Sequence, residues 1–185
     1  MEEKVVIRHA VPGDEAMLAE IQAESWEAAF TGILPDEKLK SHLDKQRIAQ
    51  MYQRVLNEHL ANVSVLILGQ KMHCMALWGA YRGENHPDWA ELICIHSRKG
   101  NWGRGYGSMM MEHILQEIKS AGFKQVGLWV FEQNIRARRF YEKHGFILIQ
   151  ERKNSFGADE VLYVKLFGKA IHLYKTRMKH SPYRS

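Results

Sequence analysis

Gly103, Gly105 and Gly107 stand at alternate positions in the stretch "NWGRGYGSMMMEHILQEI" (101–118), with Arg104 between two of them and a run of Met, Ile and Leu directly after. The first N–H groups of a helix have no partners within it, and their dipoles converge with the partial positive charge of the helix end. Glycines there let an anion approach the main chain without meeting Cβ atoms. The pattern predicts a phosphate site at the mouth of a helix, with Arg104 and, at the rim, Arg98 and Lys99 adding full charge. Two familiar phosphate loops do not fit. A dinucleotide fingerprint needs glycine at its first, third and sixth places, yet the sixth place is Ser108 counted from Gly103 and Met110 counted from Gly105. A Walker loop fails because no Gly-Lys-Ser/Thr follows.

Other side chains that could do chemistry are less well placed. Ten histidines invite a metal, but there is no HExxH, no close His pair at ligand spacing and no CxxC, so no metal is expected. His96, beside the loop, is an alternative base. Cys94 could carry an acyl group if its thiol pKa were lowered, but its neighbours Ile93 and Ile95 predict a buried hydrophobe.

The elements that must hold the loop follow from periodicity. "KVVIRHA" reads as a strand, and "EAMLAEIQAESWEAAF" as a helix with Asp14 as N-cap. A second helical region covers about Asp36 to Leu60, with Ile48, Met51, Tyr52, Val55 and Leu56 on one face. "VSVLILG", "MHCMALWGAY" and "WAELICIH" suit an antiparallel meander. The glycine stretch opens a helix from about Gly107 to Ala121, with Gly122 past its end. "KQVGLWVF" is a strand, "NIRARRFYEKHG" a helix capped by Asn134 and closed by Gly145, and "FILIQER" and "EVLYVKLF" a last strand pair around "NSFGAD". The order β-α-α-β-β-β-α-β-α-β-β predicts an α/β (α+β) fold, a mixed sheet with helices against it.

At 185 residues the chain suits one domain, with no apolar run long enough for a membrane span. The acidic start "MEEKVVIRHA" lacks the order of a secretion signal, and two cysteines in apolar runs give no disulfide framework; a cytoplasmic protein is expected. The net charge of +5 is a property of the tail. Residues 1–160 hold 20 basic against 21 acidic residues, whereas 161–185 hold six basic and none acidic. The division expected is a domain over 1–168 and a basic extension over 169–185. Its Ile171, Leu173, Tyr174 and Met178 suit a docked extra helix better than a nucleic-acid-binding arm.

The stretch "ELICIHSRKGNWGRGYGSMMMEHIL" resembles motif A of the GNAT superfamily of acyl-CoA N-acyltransferases, and "LWVFEQNIRARRFYEKHGF" resembles its motif B. "SWEAAFTGILPDEKL" is similar to the helix-loop-helix that opens many bacterial members, so the likeness covers about residues 4–167. It implies a mostly antiparallel sheet with splayed central strands and flanking helices, and acetyl-CoA as cosubstrate.

By that resemblance Gly103, Arg104, Gly105, Tyr106, Gly107 and Ser108 cradle the pyrophosphate. Pantetheine lies between strands at 91–97 and 126–131, with Ile95 and Ser97 on the first and Asn134 and Arg138 on the following helix. Trp102 adjoins the cofactor where the family has Gln or Arg. Glu91, fourteen places before Gly105, sits at the interval of a family glutamate that takes the amine proton. Tyr141 matches the tyrosine that protonates the leaving thiolate, and at seven residues from Asn134 it shares that residue's helix face. Trp26, Phe30 and Phe156 wall the acceptor site. The function implied is acetyl transfer to a primary amine by direct attack in a ternary complex. A CoA-binding sensor without turnover is the rival reading. The acceptor itself is not legible, and a homodimer stays open.

Overall fold

Seven strands and five helices arise from the pattern of apolar residues, and a computed structural model describes residues 4–83 and 86–168 of the chain. The order is β1 (Val5–His9), α1 (Glu15–Phe30), α2 (Asp36–Ser41), α3 (Lys45–Asn57), β2 (Asn62–Leu68), β3 (Lys71–Ala80), β4 (Trp89–Ser97), α4 (Tyr106–Ser120), β5 (Gln125–Phe131), α5 (Ile135–Lys143), β6 (Ile147–Ser155) and β7 (Ala158–Leu166). A single 3-10 turn, Lys99–Asn101, lies between β4 and the glycine loop. The strands form one sheet ordered β1-β2-β3-β4-β5-β7-β6, antiparallel throughout except at β4 and β5. No helix among the described residues is long and apolar enough to cross a membrane. The proposed docked tail lies outside the described residues.

Side-chain alternation sorts β3 between two cores. Cys74, Ala76 and Trp78 pack with Met110, Met111, Ile114 and Ile118 of α4, while Met75 and Leu77 pack with Leu18 and Ile21 of α1 and Ile48 and Tyr52 of α3. Each of those α4 side chains is fully buried, which stabilises the fold by about 1.5–3 kcal/mol per residue. Met72 joins the α1 side although it shares parity with Cys74, because the register with β2 shifts between Leu66 and Ile67 and leaves His73 as an extra residue.

A second bulge matters more. In β4 the pairing with β3 steps from Cys94 to Leu92, so Ile93 is the extra residue. Ala90 and Leu92 belong to the α4 core before it, Cys94 turns to the α1 core after it, and Ile95 packs back toward α4. Bulges increase twist and bend a strand. Past this one, β4 leaves β5: the two strands pair only at Trp89–Gln125, Ala90–Val126 and Glu91–Gly127.

Three expectations need correction. The helical region of 36–60 is two helices, because Asp44 takes the N–H groups of Gln46 (3.0 Å) and Arg47 (3.2 Å) and starts α3 anew. Such a cap contributes about 1 kcal/mol, enough to break an otherwise continuous apolar stripe. Met51, placed on the inward face, is 42% exposed. Asp14 precedes α1 but its side chain caps nothing there, since its carboxylate is held by Arg8 Nη1 (2.6 Å), Arg8 Nη2 (3.0 Å) and the Val11 N–H (2.9 Å). Asn134 does cap α5, accepting from the Ala137 N–H at 3.2 Å.

Candidate active site

The parting of β4 and β5 opens the sheet between α4 and α5, and two cavities meet in the gap. The first, about 390 Å³, is entered over the glycine loop. Gly103 and Gly105 have φ of +80° and +89°, the left-handed region that favours glycine, and Gly105 is the N-cap of α4. No side chain caps that end, so the first N–H groups of a fifteen-residue helix face the cavity through Tyr106, Gly107 and Ser108. His73, part of the same wall, is held below its ordinary pKa by burial first and then by the charges of Arg98 and Arg104. Arg98, expected to add charge at the rim of the phosphate site, is instead paired with Glu20 (3.0 Å) and Glu24 and donates to the Met72 carbonyl (3.1 Å), outside the cavity lining.

Of the residues expected to hold the cofactor, Ile95, Ser97, Trp102, Gly103, Gly105, Tyr106, Gly107 and Ser108 all line this first cavity. Three predicted cofactor residues do not, Asn134 bordering the second cavity instead. Arg104 is exposed beyond the lining, and Arg138 donates to the Tyr163 hydroxyl (3.1 Å) and the Glu132 carbonyl (3.0 Å) away from both cavities. Arg136, not singled out by sequence, stands in the wall instead. Its guanidinium lies 3.4 Å over the Trp102 ring, and it has no acidic partner among the described residues. Trp102 is fixed in turn by its Nε1–H, which donates to the Ser97 carbonyl at 3.0 Å.

The second cavity, about 420 Å³, shares Ser25, Ile95, Arg136, Ala137 and Tyr141 with the first. Trp26, Phe30, Glu91, Asn134 and Phe156 all border it, so the sequence-predicted catalytic and acceptor residues converge in one place. Tyr141 is buried, its hydroxyl makes no hydrogen bond among the described residues, and burial pushes its pKa well above the ordinary 10. The phenol therefore keeps its proton throughout the neutral and mildly alkaline range.

Glu91 is 5% exposed, and its carboxylate is held by Arg82: Nη2 donates to Oε1 at 2.6 Å, while Nε (3.0 Å) and the main-chain N–H (3.2 Å) donate to Oε2. The Arg82 side chain itself is 64% exposed, so the acid is inside and the base at the rim. Lys153 and Glu160 repeat that arrangement at 3.3 Å, with the lysine over the Trp129 ring.

Burial lowers the pKa of His96 to about 4, leaving a neutral imidazole at pH 7. Burial raises the Cys94 thiol to about 12, which leaves almost no thiolate to carry an acyl group. Among the described residues no group of three or more His, Cys, Asp or Glu could hold a metal ion.

The far end of the second cavity is an aromatic box. Trp26 meets Phe30 and Phe156 edge-on at 5.1 and 5.7 Å and stacks on His42, and Phe30 meets Phe131 at 4.9 Å. Phe156 has φ of +56°, a conformation costing a non-glycine residue about 1–2 kcal/mol. Gly157 follows at +89° and completes the tight turn of the β6–β7 hairpin.

A sequence model of the acetyltransferase (GNAT) family matches residues 18–146. A curated relative from Mycobacterium tuberculosis, described as a probable N-acetyltransferase, is 26% identical over 142 residues, covering 76% of this chain and 78% of its own. Among solved structures, the PaiA N-acetyltransferase of Thermoplasma acidophilum in complex with coenzyme A superimposes with a TM-score of 0.71 at 20% identity, over 89% of this chain and 99% of that one. YncA of Salmonella typhimurium, solved with its cofactor acetyl-CoA, gives 0.68 at 18% identity, over 89% and 95%. The splayed sheet, the glycine-capped helix and a family match spanning most of the chain agree: this protein belongs to the acetyltransferase (GNAT) family.

Proposed function

We propose that the protein transfers an acetyl group from acetyl-CoA to a primary amine by direct attack within a ternary complex. The observation that carries this reading is the gap after Glu91 and Gly127, which joins the glycine-loop cavity to the aromatic one at Tyr141. The relatives solved with coenzyme A and acetyl-CoA support the same cosubstrate.

The N–H groups from Gly103 to Ser108 take the pyrophosphate, with Arg136 adding charge from α5 in the place expected of Arg138. The β4 edge freed by the splay offers the Ile95 and Ser97 main chain to pantetheine, and the Asn134 amide faces the second cavity beside Tyr141. The thioester then lies where the cavities join. The amine enters on the Glu91 side, loses a proton toward that carboxylate, and attacks the carbonyl. The departing thiolate takes the Tyr141 proton.

Removing only that hydroxyl tests the last step. Tyr141→Phe should slow acetyl-CoA-dependent thiol release about 10-fold or more while acetyl-CoA affinity stays near wild type. Because burial raises the phenol pKa above 10, the wild-type acid stays protonated up to about pH 9, so the deficit should be constant from about pH 6 to pH 9. Equal turnover of the two proteins across that range, under conditions where chemistry limits the rate, would leave Tyr141 a packing residue.

A further inference from the structure

We infer that the acceptor is a small primary amine with a compact apolar or aromatic body, and not a polypeptide; this rests on the acetyl-transfer reading above. A polypeptide acceptor must run chain on one or both sides of the reacting residue, which calls for a groove left open between the two walls of the acceptor site. Here those walls are joined.

Leu34 and Leu39 from the α1–α2 side, Phe131 at the end of β5 and Ala158 at the start of β7 form one buried apolar cluster, with Trp26 and Phe30 packed on it. At the hairpin tip, Phe156 lies edge-on to both Trp26 (5.7 Å) and His42 (4.6 Å). A Cβ added to Gly157 would sit 3.4 Å from Pro35 Cγ, so the hairpin backbone itself touches the α1–α2 turn. Opening a through-groove would expose the cluster to water. What remains is a pocket whose two walls are bridged at the hairpin tip.

Its lining states the ligand chemistry. Rings of Trp26, Phe30, Phe131 and Phe156 offer faces and edges to an apolar body. Glu91 and Glu160 lie inside, each paired with a base toward the rim, Arg82 and Lys153, and Arg136 lines the cavity too, so it is the rings and not a net negative charge that select the ligand's body. Phe156 is the ring that both closes the pocket and remains 43% exposed at its edge, held there in a left-handed backbone conformation. That combination makes it a specificity-determining residue.

The test is a thiol-release panel on the full chain with acetyl-CoA: phenethylamine, tryptamine, a tetrapeptide with an N-terminal phenylalanine, and a lysine-containing peptide. The free arylalkylamines should exceed both peptides in kcat/KM by about 10-fold or more. Phe156→Gly, which suits the positive φ and so leaves the hairpin folded, should raise KM for phenethylamine several-fold and narrow the gap to the peptides. A peptide turned over as efficiently as the free amines, or an unchanged KM in Phe156→Gly, would overturn the assignment of acceptor class while leaving acetyl transfer intact. Absence of thiol release with every amine, when calorimetry shows acetyl-CoA bound, would overturn the transfer reading and this inference with it.

Discussion

Gly105→Glu protein should show no measurable acetyl-CoA binding by calorimetry, while wild type gives a well-defined isotherm. The substitution acts in two ways. It puts a carboxylate at the N-cap of α4, where the uncapped N–H groups face the cavity and a phosphate should sit. It also forces an L-residue into φ of +89°, which distorts the loop whatever its charge. No atom lies within 4 Å of the Cβ position, so a steric clash with the rest of the fold is not the cause. Gly105→Ala separates the two effects, carrying the backbone strain without the charge, and should bind more weakly than wild type but measurably. If Gly105→Glu, still folded by circular dichroism, bound acetyl-CoA as tightly as wild type, the loop would not be the phosphate site.

Glu91→Gln should reduce turnover by about 10²- to 10⁴-fold near neutral pH with acetyl-CoA affinity intact. The amide keeps one oxygen for the Arg82 N–H and Nε, and the displaced Nη2 belongs to a side chain already 64% exposed, free to turn to water. Loss of stability should therefore stay within about 1–2 kcal/mol, visible as a modest shift in urea denaturation. The rate deficit should shrink at high pH, where the amine is already neutral. His96→Asn should leave the shape of the pH–rate profile unchanged, because a group with pKa near 4 does not titrate in the working range. An unaltered profile in Glu91→Gln would take that residue out of the mechanism.

Features that depend on local chemistry were legible in the sequence. The glycine loop and the Asn134 cap follow from spacing within one element, as does the apolar stripe after the loop, of which Met110, Met111, Ile114 and Ile118 are buried and Leu115 is half-buried. Trp26 and Phe30 share α1, but Phe156 lies far along the chain after β6, and only the family resemblance placed it with them. The structure brings all three to one cavity.

What the sequence could not show depends on pairing between segments. Arg82 reaches Glu91 because Gly79 sits opposite Glu91 across β3 and β4, and that register is set by a bulge at Ile93 which no alternation pattern reveals. The same bulge sends Cys94 and Ile95 to faces that a regular strand would not give them. Arg136 and Arg138 flank Ala137 with equal claim on paper. Two residues apart, they lie about 200° apart around the helix, and only the position of Tyr163 and Trp102 decides which one meets the cavity. The break between α2 and α3 was hidden for another reason: the apolar stripe runs on across it, and a single cap at Asp44 outweighs the stripe.

Direct transfer in a ternary complex is tested most directly by initial velocities with acetyl-CoA and the best amine of the panel varied together. Two cavities that meet at Tyr141 leave room for two substrates side by side, and a Cys94 thiol raised to about 12 offers no covalent relay. The double-reciprocal lines should intersect. Parallel lines, accompanied by an acetylated protein in intact-mass measurements, would mean that the acetyl group passes through the enzyme and would contradict the mechanism.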